Sequence, residues 1–87
     1  MYDIRITSEG RRHLDCLATK VRDAAFAALS GSIKENPRRM GKPLVGELTG
    51  LCSARRVDYR IVYEIDDETT TVIVHQIHHR SSVYRSR

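Results

Sequence analysis

With 87 residues, 40% of them hydrophobic and 30% charged, the chain is sized for one globular domain, read here as residues 1–87. Two cysteines exclude a disulfide scaffold, and no apolar stretch approaches a membrane span of ~20 residues or opens the chain as a signal peptide. The formal net charge of +4 suits a phosphate backbone or an acidic partner, so a cytoplasmic protein with reduced thiols and no membrane partner is expected.

Residues 2–7 alternate, with Tyr2, Ile4 and Ile6 against Asp3, Arg5 and Thr7, and predict a half-buried strand. Thr7 or Ser8 is placed to cap a short helix carrying Leu14 and Leu17, with Glu9 suited to its first turn and Gly10 weakening it. A second helix is expected over 20–35, where Val21, Ala24, Ala25, Ala28, Leu29 and Ile33 share one face until Asn36-Pro37 ends it. Residues 37–51, holding both prolines and three glycines, read as a loop. Strands follow at 52–57, 58–65 and 71–78, the last two joined by the polar turn Asp66-Asp67-Glu68. The order β-α-α-β-β-β gives an α+β fold. Its N-terminal strand and helical hairpin precede a mostly antiparallel three-stranded meander, forming one sheet with the helices on one face.

No nucleotide, nucleophile or metal motif stands out. Gly41-Lys42-Pro43 lacks the frame of a phosphate-binding loop. Strand period two puts His75 and His79 on one face and His78 on the other, which argues against a three-histidine metal site. The informative feature is cationic. In Tyr59-Arg60-Ile61-Val62-Tyr63, the Ile61 face packs on the helices and Arg60 points from the open face. Arg55 and Arg56 end the preceding strand on alternate faces, and His79, Arg80 and Tyr84 follow the last strand. Converging on one concave surface, these groups can hold a phosphate, stabilise charge building on it, and move protons. A plainer arrangement fits the same residues: Arg60 solvated, Arg55 and Arg56 paired with Glu64 or Glu47, and Tyr84 capping the sheet edge.

At these residues the chain resembles the RelE-type toxins of the RelE/ParE superfamily. The resemblance is carried by Gly41-Lys42-Pro43-Leu44, Gly46-Glu47-Leu48, Gly50-Leu51, the run from Arg55 to Asp67, and His79-Arg80-Ser81-Ser82-Val83-Tyr84-Arg85. It implies the toxin of a type II toxin–antitoxin system. Such a toxin is a ribosome-dependent endoribonuclease that cuts mRNA in the A site without a metal or other cofactor. The 2′-hydroxyl attacks the adjacent phosphate, leaving a 2′,3′-cyclic phosphate or 3′-phosphate and a 5′-hydroxyl. The implied partners are the ribosome with its mRNA and a RelB-like antitoxin, through which the complex reaches operator DNA.

Residue by residue, the resemblance implies that Arg60 contacts the scissile phosphate and that Arg80 faces the transition-state charge. It makes Tyr84 a stacking or proton-transfer group and His79 a general acid or base, with Arg55, Arg56 and Lys42 binding phosphate. The second strand carries Ser53 and Arg55 where some members have lysines, and an arginine holds its proton too tightly to serve as a base. Proton transfer therefore falls to His79 or Tyr84, or positioning alone activates the 2′-hydroxyl. The alternatives are a ParE-like poison of DNA gyrase with no catalytic site, or an inactive relative acting as a binding module.

Overall fold

The computed structural model describes residues 1–56 and 59–79. Strand β1 (Asp3–Ile6) leads into helix α1 (Ser8–Asp15) and helix α2 (Thr19–Ala28), which continues as a π-helical turn over Leu29–Ile33. A short helix α3 (Pro37–Met40) and a two-residue strand β2 (Lys42–Pro43) precede β3 (Leu51–Arg55), β4 (Tyr59–Asp66) and β5 (Thr71–His79). The five strands form one sheet in the order β1-β5-β4-β3-β2. Only β1 runs parallel to its neighbour β5; the other pairs are antiparallel. The α+β arrangement expected from the sequence is therefore the one observed. None of the described helices is long and apolar enough to cross a membrane.

Local chemistry explains the boundaries. Thr7 caps α1 by accepting from Gly10 N–H at 3.0 Å. Gly10 does more than weaken the helix: a Cβ there would meet the Val74 carbonyl oxygen at 2.8 Å. Its missing side chain lets α1 lie directly on β5. The 37–51 segment is more structured than its composition suggested. Pro37 takes the first helical position of α3, where its missing N–H costs nothing, and Asn36 accepts from Arg39 N–H at 3.3 Å. The β4–β5 turn is held by Asp66 Oδ1, which accepts from the Glu68 and Thr69 N–H groups at 3.0 and 3.3 Å.

The helices cover one face of the sheet. Leu14, Leu17, Ala25, Ala28, Leu29 and Ile33 pack against Ala54, Ile61, Tyr63, Val72, Val74 and Ile77. Tyr63 is fully buried, and its hydroxyl donates to the Pro37 carbonyl at 2.6 Å, tying β4 to α3. Burial pushes this phenol up to about 12. The cysteines are free thiols, Cys52 half-buried and Cys16 exposed.

One irregularity decides what the other face displays. Val62 stands opposite Gln76, whereas Tyr63 stands opposite Val74, so His75 is an extra residue in β5. This β-bulge reverses the alternation of side chains beyond it. Val72, Val74 and Ile77 all reach the core, which a strict two-residue period cannot do.

Candidate functional site

The face away from the helices is built on register. Arg55 of β3 stands opposite Arg60 of β4, and Arg60 stands opposite His78 of β5. Three strands thus place Arg55, Arg60 and His78 in one row across the end of the sheet. In the next row, Ser53, Val62 and Gln76 follow, with Lys42 of β2 opposite Ser53. Lys42, Arg55 and Arg60 are exposed. Among the described residues none of these three cations takes part in an ion pair. Two like charges directly opposite on a sheet cost a few tenths of a kcal/mol or more, so the Arg55–Arg60 pair does not serve stability.

Helix α1 completes the row where β1 has ended. His13 Nδ1 accepts from the Ile77 N–H at 3.1 Å, satisfying a backbone donor on the edge of β5. The His13 and His78 rings lie 5.3 Å apart and are tilted by 43°. Glu9, one turn earlier, is 3.9 Å from His13 Nε2. His78 Nε2 is 3.0 Å from Gln76 Oε1. Burial, then the neighbouring His13 and Arg60, hold the His78 imidazole below its ordinary value of 6.5, with Glu9 opposing.

The structure sorts the residues singled out from the sequence. Arg60 lies on the open face as expected, and Arg55 and Lys42 share it. Arg56 does not: it turns to the helix side, where Nη2 donates to Ser32 Oγ at 3.3 Å. His79 stands opposite Tyr59, whose hydroxyl donates to the Ala24 carbonyl at 3.1 Å, so its register position is also on the helix side. The bulge is the reason, because it exchanges the faces of His78 and His79 expected from strict alternation. Arg80 and Tyr84 lie outside the described residues. Neither arginine finds the carboxylate of the plainer arrangement, since Glu64 bonds His75 at 3.1 Å. His13 and His78 were missed, because nothing local in the sequence marks the extra residue or the docking of α1 on β5. Among the described residues no group of three His, Cys, Asp or Glu is arranged to hold a metal ion.

Comparison with known proteins follows the same lines. The family described as the ParE toxin of the type II toxin-antitoxin system parDE matches residues 4–84. Toxin RelG of Mycobacterium tuberculosis is 43% identical over 84 residues, covering 97% of each chain. Toxin RelE of the same organism is 44% identical over 84 residues, covering 97% of this chain and 87% of its own. A chain in the crystal structure of the toxin–antitoxin complex RelBE2 from M. tuberculosis superposes with a TM-score of 0.89 at 43% identity, covering 91% of this chain and 98% of that one. The isolated Escherichia coli RelE toxin shares the fold, with a TM-score of 0.76 at 23% identity over 99% of this chain and 94% of its own.

Proposed function

The chain belongs to the ParE toxin family of type II toxin–antitoxin systems, within the RelE/ParE superfamily, and from that premise we propose that it is a ribosome-dependent endoribonuclease that cuts mRNA in the A site. The observation that carries this reading is the Arg55–Arg60–His78 row, in which two arginines face one another and, among the described residues, pair with no carboxylate. Such a row suits the phosphates of a single strand better than it suits folding. Arg60 contacts the scissile phosphate, and Arg55 and Lys42 draw in the neighbouring backbone. Arg80 faces the charge of the transition state, and Tyr84 stacks on a base or moves a proton. The reaction is attack by the RNA's own 2′-hydroxyl and needs no metal.

The ribosome supplies what so small a chain lacks. Orientation of a flexible strand is worth up to ~7–11 kcal/mol of barrier, and the ribosome holds the codon already oriented. Free RNA is therefore cut poorly. A RelB-like antitoxin is the partner, as the relative in the RelBE2 toxin–antitoxin complex supports, and the basic row is the surface for it to cover. The complex then reaches operator DNA through the antitoxin.

The test is to map mRNA 5′ ends in reconstituted translation, with and without programmed ribosomes. New ends at A-site codons, only when ribosomes are present, are expected. Intact mRNA with normal translation overturns the reading. The ParE family match favours a second reading, a gyrase poison without its own chemistry. In that case a DNA supercoiling assay responds instead.

A further inference from the structure

We infer that His78 is the general base of this site and that His13, from α1, is the positioning residue that holds it in place. The inference rests on the ribonuclease reading above. It adds a residue that neither the sequence pattern nor the comparisons single out.

Register comes first. His78 is the direct cross-strand neighbour of Arg60 and shares its face. A phosphate held by Arg60 therefore lies beside the imidazole. The tautomer comes second. With His78 Nε2 donating to Gln76 Oε1 at 3.0 Å, the neutral ring carries its lone pair on Nδ1. The charge state comes third. The groups facing His78 are His13 and Glu9 from α1, Arg60 from β4 and Gln76 on its own strand. Burial and the two basic neighbours outweigh Glu9, so the ring gives up its proton more readily than a free imidazole. It is thus ready to accept one at neutral pH, which Arg55 and Arg60 are not.

His13 earns its place by geometry. Its Nδ1 accepts from the Ile77 N–H, and its Nε2 lies on the side of Glu9. That bond fixes α1 against β5 one residue before His78 and sets the ring 5.3 Å away. In the reaction, the proton of the 2′-hydroxyl passes to His78 Nδ1 as the 2′-oxygen bonds to phosphorus. The bond from phosphorus to the 5′-oxygen breaks, and that oxygen takes a proton from solvent. His78 then returns its own proton to solvent.

The experiment measures ribosome-programmed cleavage against pH for the wild type, His78→Ala, His78→Gln, His13→Asn and His75→Ala, with histidine titration by NMR on the free protein. We expect His78→Ala and His78→Gln to lose ~10²–10⁴-fold in rate and His75→Ala to cut normally. The wild-type acidic limb should lie below pH 6.5, the ordinary imidazole value, with activity present above it and lost as pH falls. His13→Asn keeps an acceptor for the Ile77 N–H but removes a basic neighbour, so its acidic limb should move to higher pH. A purely structural His13 would lower the rate without moving the limb. Wild-type cleavage with undiminished rates in both His78 variants overturns the inference alone. So does a His78 ring titrating at or above 6.5, whether or not the variants fold. No cleavage by the wild type overturns the ribonuclease reading itself.

Discussion

The two ends of the uncovered sheet face carry opposite charges and treat them differently. At the β4–β5 turn, three acids are engaged: Glu64 bonds His75, Asp66 holds the turn backbone, and Asp67 accepts from the Tyr2 hydroxyl at 2.9 Å and pairs with Arg38. At the other end, Arg55 and Arg60 face each other across two strands and, among the described residues, pair with no carboxylate. Glu64 lies four residues from Arg60 along the strand, about 13 Å away, and its partner is His75. Glu64, Asp66 and Asp67 thus serve structure, and the basic end keeps its charge available. A charge that folding does not use is the better guide to a binding site.

Substitutions at the two ends break or sharpen this contrast. The largest effect is expected for Arg60→Ala. Ribosome-programmed cleavage should fall ~10²–10³-fold, the cost of one donor to developing charge. Denaturant unfolding should show no loss of stability, because a repelling neighbour of Arg55 has gone. Cleavage at the wild-type rate would remove Arg60 from the site. Next comes Tyr63→Phe, on the covered face, which strands the Pro37 carbonyl and should cost ~1–2 kcal/mol in unfolding free energy. Cleavage per folded molecule should not change. A smaller effect is expected for Arg55→Ala, which should flatten the log–log salt dependence of RNA association by ~0.7. An unchanged slope would mean Arg55 touches no phosphate. The smallest belongs to Glu64→Gln at the acidic end. It should leave cleavage unchanged and shift stability by no more than ~0.5 kcal/mol, since the pair with His75 is half-exposed.

Much of this was legible in the sequence. Alternation in Tyr2–Thr7 marked β1, and the apolar spacing from Val21 to Ile33 marked the second helix. The Asp66-Asp67-Glu68 turn marked the β4–β5 hairpin. Arg60 stands on the open face as expected, because β4 alternates regularly and the extra residue lies in β5. Arg55 and Arg56 fall on opposite faces as alternation implies, but the partner of Arg56, Ser32, was not legible, because it is 24 residues away and belongs to the π-helical turn. The 37–51 segment hid α3 for a similar reason. Pro37 both ends one helix and begins the next, and composition alone reports only the first role.

The sequence by itself determined the class of fold, the strand that bears Arg60 and the surplus of positive charge. These depend on periodicity, turn chemistry and composition, all of which act over a few residues. Tertiary structure alone decided which histidine joins the arginines. One extra residue at His75 reverses the faces of β5, and an α1 that Gly10 allows to lie against Val74 brings His13 to His78. Both are consequences of pairing between distant segments, where register and close approach, rather than local preference, set which side chains meet.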